Sequence, residues 1–306
     1  MQRFKSIDIF RGMCMGWMFL AHLIDWWIME DFYWLKDLTF KIFDPIGASG
    51  FLFISGVSVM LSYRNRMYRI EVLKEISYYR VRLSYYIRAF FLLLIAIIYN
   101  TAIALTINNL SWIWTWFVLM TAAVSLLLIW PLFKVSKEAR IGIGISIWLI
   151  NELIYYLIRP FEGQMNFQGI LYHFLYNNFS LDPLLIFFPF MIFGTVVGDI
   201  INDLNNNRDI ERRREEIKKE MVLPIGILSS GLIVFGLLFK FPNFLNRSSF
   251  SWYVYTIGII LLIFLILIIL EEYHVFETQK NYRVFFFFSY YSFTVYLAHN
   301  FLYFIF

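Results

Sequence analysis

Cysteine is nearly missing from this chain: Cys14 is the only one in 306 residues. An internal disulfide is therefore excluded, and so is a thiolate cluster for zinc or iron–sulfur. Cys14 lies inside an apolar run, where a thiol packs rather than reacts. Charge is also scarce, at 16% of residues, and it is clustered rather than spread. A soluble domain has roughly 25% charged residues and is roughly half apolar. Here 60% of the chain is hydrophobic, with 35 Phe, which rules out an ordinary soluble fold. The net charge of +4 is modest, and no basic stripe interleaved with aromatics indicates nucleic acid as a partner.

What the sequence does contain is a series of long apolar runs, at 12–29, 45–63, 89–107, 112–133, 141–158, 184–204, 221–239, 252–270 and 285–306. Each is close to the ~20 residues that a membrane-spanning helix needs. Barrel strands would be shorter and would alternate polar with apolar residues. The expected fold is all-α, a polytopic transmembrane bundle of about nine helices, multi-pass in the cell membrane if the source is prokaryotic. Arg3 and Lys5 before the first run superficially suggest a signal peptide. That run is too long for a signal core and has no clean small-x-small cleavage site.

Lys and Arg alternate between the connecting segments. Arg3, Lys5 and Arg11 precede the first run, and Arg64, Arg66, Arg69, Lys74, Arg80, Arg82 and Arg88 separate the second from the third. Lys134, Lys137 and Arg140 follow the fourth. The basic group Arg208, Arg212, Arg213, Arg214, Lys218 and Lys219 precedes the seventh. The positive-inside rule then puts the N-terminus in the cytoplasm, and an odd helix count puts the C-terminus outside. The chain reads as one transmembrane domain over 1–306, with a charged cytoplasmic insert at 203–220. An extracytoplasmic loop at 159–183 carries Gly163, Gly169 and His173, and its half-apolar composition suits a lid or a re-entrant turn.

Ionisable groups inside a membrane helix are costly and need a partner or a cavity. In the first helix Asp8, Arg11, Met15, Met18, His22, Asp25 and Met29 follow three- and four-residue steps and share one face. His22 lies about 16 Å beyond Arg11, at or past the bilayer middle. In the last helix Ser289, Ser292, Tyr296, His299 and Tyr303 share a face in the same way, and His299 falls at a matching depth. The two histidines suggest a common interior site, which His173 could approach from the outer loop. Helix–helix hydrogen bonding is the competing account of these polar stripes. His274, after Glu271 and Glu272, reads as a solvated loop residue. Close packing is at least as good a reading of the small-residue run at 47–58 as ligand approach. Arg80, Arg82 and Arg88 are topology signals whose guanidinium forks also suit phosphate at a membrane edge.

Together these motifs resemble the transmembrane acyltransferase superfamily, including the acyltransferase-3 enzymes and heparan-α-glucosaminide N-acetyltransferase. Ser6-Ile-Asp-Ile-Phe-Arg-Gly12, with His22 ten intervening residues after Arg11, is similar to the first-helix signature. Phe51-Leu-Phe-Ile-Ser-Gly56 resembles the second helix, Arg80-Val-Arg-Leu-Ser-Tyr-Tyr-Ile-Arg88 the arginine-rich entry to the third, and Ser292-Phe-Thr-Val-Tyr-Leu-Ala-His299 the closing helix. A weaker proline-to-glycine pattern fits Pro183 to Gly198.

The resemblance implies acyl transfer across the membrane from cytoplasmic acyl-CoA, with acetyl-CoA expected, to a sugar or glycolipid acceptor at the outer face, without a metal. It implies His22 as base or acyl carrier, Asp25 as its orienting partner, and Tyr296 or His299 as oxyanion or acceptor contacts. Arg11, Arg64, Arg80, Arg82 and Arg88 would bind the coenzyme. The rival class is a non-enzymatic transporter or flippase using the same His and Asp. The absence of a repeated half or of paired broken helices weighs against it. Membrane lipid is an expected partner, and the oligomeric state stays open, a homodimer included.

Overall fold

The computed structural model describes residues 4–177, 181–204, 215–239, 249–275 and 278–299. Among the described residues the regular structure is helical throughout: α1 (Lys5–Trp27), α2 (Tyr33–Phe43), α3 (Ala48–Glu71), α4 (Tyr78–Thr106), α5 (Val118–Ile129), α6 (Lys137–Ile158), α7 (Phe167–Leu175), α8 (Leu184–Leu204), α9 (Leu223–Leu238), α10 (Phe250–Glu272), α11 (Arg283–Tyr290) and α12 (Ser292–Ala298). Eight helical segments among them are long and apolar enough to cross a membrane. Several outrun their apolar core. α3 continues past Tyr63 to Glu71, and α4 begins at Tyr78, because Arg, Met and Glu are good helix formers once outside the bilayer.

The expected ninth run is described only to His299, and there it consists of α11 and α12. They meet at Tyr291, whose φ of −95° and ψ of 19° depart locally from the helix. The Tyr291 amide still bonds the Phe287 carbonyl, and the Val295 amide bonds that of Tyr291. The deviation is therefore local. Most of the charged insert, 205–214, lies outside the described residues. The segment 159–177 folds partly into α7, and Tyr172 in it and Tyr176 just after it pack on Ile158.

The chain divides into two compact units, one of residues 1–54 and 203–306 and the other of 55–202, with α3 and α8 contributing to both. In the first unit Phe10, Phe53 and Phe264 form a triangle of edge-to-face rings with centroids 5.6 to 6.4 Å apart. The N-cap position of α1 is Phe4, which has no side chain able to accept from the first turn. The carboxylate of Glu271, in the last turn of α10, does so instead. It accepts from the amides of Lys5 and Ser6, each at 2.8 Å. A charge-assisted bond at the positive end of a helix is a strong form of capping.

Gly12 is where α1 meets α11. A Cβ built there would lie 2.0 Å from the Phe285 carbonyl oxygen, a backbone atom that cannot swing aside. Gly12→Ala is therefore expected to push the two helices apart and to lower stability by ~1–3 kcal/mol. Thermal unfolding of the purified variant in detergent measures it, and an unchanged melting midpoint would contradict the packing.

Candidate active site

The polar faces expected on α1 and on the last helix come together. The imidazole rings of His22 and His299 stack with centroids 4.9 Å apart and planes 30° off parallel. Trp26, one turn after His22, lies 5.2 Å from His22 and 6.1 Å from His299, nearly parallel to the latter. His299 is buried at 4% exposure, and Tyr296 beside it is also buried. The His299 Nδ1 lies 2.5 Å from the Tyr296 carbonyl oxygen. A carbonyl only accepts, so Nδ1 carries the proton there and Nε2 is the nitrogen left for proton exchange. Lower on α1, Asp8 is buried and accepts from the Ser289 hydroxyl at 3.5 Å. Arg11 is half-buried one turn further on.

Asp25 has a different partner from the one expected. It is exposed and pairs with Lys36 of α2. It stands in the last turn of α1, just before the chain turns back through Glu30–Phe32, which brings α2 alongside. Trp17 meets Phe40 of that same helix edge-to-face and lies tilted against Phe43, completing the clasp. Tyr303 lies outside the described residues. His173 sits in α7 of the second unit, and His274 is an exposed residue with φ of 59°.

The other predicted arginines, Arg64, Arg80, Arg82 and Arg88, have distinct environments within the second unit. Arg64 is committed: its Nε donates to Asp199 Oδ1 at 2.6 Å. Arg140, fully buried, pairs with the other oxygen of the same carboxylate. Asp199 thus bridges two guanidinium groups, and Arg140 Nε and Nη1 have no hydrogen-bond partner among the described residues. Arg80 lies in the first turn of α4, whose N-cap is Ser77, and Arg82 sits over the Tyr86 ring at 5.8 Å. Arg88 faces a cavity between α3, α4 and α5, together with Arg66.

Arg66, Arg140 and Asp199 were not singled out from the sequence. A signal for the last was present, since Asp199 follows the uncharged first 15 residues of α8, and such a charge requires a cation nearby.

The segments around Thr115 and Phe174 are fixed by polar contacts. Trp114 and Trp116 both donate their indole N–H to the Phe174 carbonyl at 2.9 Å. Buried Asn100 donates to the Thr115 carbonyl at 2.8 Å, and Asn177 to the Thr115 hydroxyl at 3.0 Å. In α7, burial first, and then the nearby Tyr155 and Glu162, push the Tyr172 hydroxyl above its ordinary range, so it stays protonated at physiological pH.

The chain matches the acyltransferase-3 family, described as an acyltransferase domain, over residues 4–306. It belongs to that family and is a multi-pass membrane acyltransferase. No curated protein and no solved structure matches the chain.

Asp199→Asn would leave the buried Arg140 charge without its counter-ion, so a loss of about 3–5 kcal/mol is expected. Asp199→Asn combined with Arg140→Met should recover much of it. Equal unfolding midpoints for the single variant and wild type would refute the bridging role.

Proposed function

We propose that the enzyme moves an acyl group, acetyl in the simplest case, from cytoplasmic acyl-CoA to a hydroxyl or amine of a sugar or glycolipid at the outer face. The observation that carries this reading is the His22–His299 stack, in which two ionisable rings from the two ends of the chain share one place inside the membrane fold. A structural hydrogen bond needs one such ring; two with Tyr296 adjacent suit proton handling during transfer.

In this reading His22 takes the proton of the acceptor O–H or N–H as that atom attacks the thioester carbonyl. The C–S bond breaks, and coenzyme A leaves as the thiol after taking up that proton. Tyr296 or His299 stabilises the oxyanion or holds the acceptor. If His22 instead carries the acyl group, the acyl–imidazole forms first and the acceptor attacks it in a second step. Asp25 serves by anchoring α2 through Lys36 beside the outer end of α1.

Arg80 and Arg82, near the start of α4, supply phosphate contacts for the coenzyme. Arg64 contributes through its exposed edge while it remains paired to Asp199. The positive-inside pattern puts this end in the cytoplasm.

Calorimetry with acetyl-CoA, paired with an acceptor screen, tests the reading. His22→Ala should retain acetyl-CoA binding and lose about 10²–10⁴-fold in transfer rate, the range for a general base. Arg80→Ala/Arg82→Ala should weaken binding. Transfer at the wild-type rate by His22→Ala, or a folded protein that binds no acyl-CoA, would overturn the assignment.

A further inference from the structure

Between α3, α4 and α5 lies a partly open cavity of about 220 Å³. Its wall is mainly apolar and aromatic, built by Tyr85, Trp130 and Phe133 with aliphatic neighbours. The Tyr85 hydroxyl donates to the Leu126 carbonyl at 2.6 Å, so that residue offers the cavity its ring. Two arginines stand over this apolar wall, Arg66 from α3 and Arg88 from α4. Arg88 and Arg69 add to the positive potential at Arg66. Among the described residues neither Arg66 nor Arg88 pairs with a carboxylate, in contrast to Arg64 and Arg140. Two cations held near each other beside an apolar chamber call for an anion with a hydrocarbon part.

The position narrows the choice. Arg88 is flanked by Ile87, Phe90 and Phe91, each 58–59% exposed, on a helix whose span is mostly unburied and therefore faces lipid. The cavity is smaller than the roughly 300–1,000 Å³ usual for an enclosed ligand. It can take part of an acyl chain while the rest of a lipid lies along the outside of α4. We propose that this cavity binds an anionic phospholipid of the surrounding leaflet, with its phosphate between Arg66 and Arg88 and one chain against Trp130 and Phe133. This does not depend on the acyl-transfer reading.

The test is native mass spectrometry of the delipidated full-length protein with added phosphatidylglycerol or phosphatidylcholine. One phosphatidylglycerol adduct should persist where phosphatidylcholine is lost. It should bind about 5-fold more weakly in Arg66→Gln or Arg88→Gln and about 30-fold more weakly in the double variant, taking ~1 kcal/mol for each basic residue at an anionic surface. Leu92→Trp, which fills the cavity and keeps both arginines, should also lose the adduct. Melting in neutral detergent confirms that each variant is folded, and Leu92→Trp decides the matter if the double variant is not. Equal phosphatidylglycerol binding by all folded variants would overturn the proposal. So would stoichiometric displacement of the lipid by acetyl-CoA, which would give the cavity to the soluble donor.

Discussion

At Gly12 the backbone of α1 comes so near the Phe285 carbonyl that no side chain fits between them. Everything in the candidate site is set from that point. The helices are fixed in register there, and the Glu271 carboxylate of α10 holds the start of α1. Ten residues later, about 15 Å along the helix, His22 reaches the level of His299. A slip of one residue at Gly12 would rotate His22 by about 100° away from its partner, given 3.6 residues per turn. The contact is therefore a constraint on chemistry as well as on packing.

Much of this was legible in the sequence because helices impose a period. The three- and four-residue spacing of Asp8, Arg11, His22 and Asp25, and that of Ser289, Tyr296 and His299, marks two polar faces in the sequence itself. Those faces meet in the structure. What the pattern could not supply was partners far apart in the chain. Glu271 caps a helix that begins 266 residues earlier, at a position where Phe4 gave no local cap signal. Asp25 turns to Lys36 because the chain doubles back there, and no periodic rule encodes that reversal. The helix count was legible only approximately, since the last run carries a local deviation at Tyr291.

The basic residues show the same limit. In the sequence Arg64, Arg66, Arg80, Arg82 and Arg88 form one topology signal. In the structure they have different surroundings. Arg64 joins Arg140 around Asp199, where a buried carboxylate is matched by two cations. Arg82 lies over an aromatic ring, and Arg66 and Arg88 face a shared cavity. Membership of the acyltransferase-3 family fixes the class of chemistry. The distribution of these arginines decides which of them have charge to spare for a phosphate.

The central claim is that the two histidines face each other inside the folded enzyme. Cysteine cross-linking tests it most directly, using His22→Cys/His299→Cys in a Cys14→Ala background, in membranes, with a copper oxidant or a short bifunctional thiol reagent. The account predicts rapid, near-complete intramolecular linkage of residues 22 and 299. A control pair with the α1 cysteine at Leu20, two residues and about 200° around the helix from His22, should stay unlinked. Failure of the 22–299 pair to link in a folded protein, or equal linkage of the control pair, would contradict it.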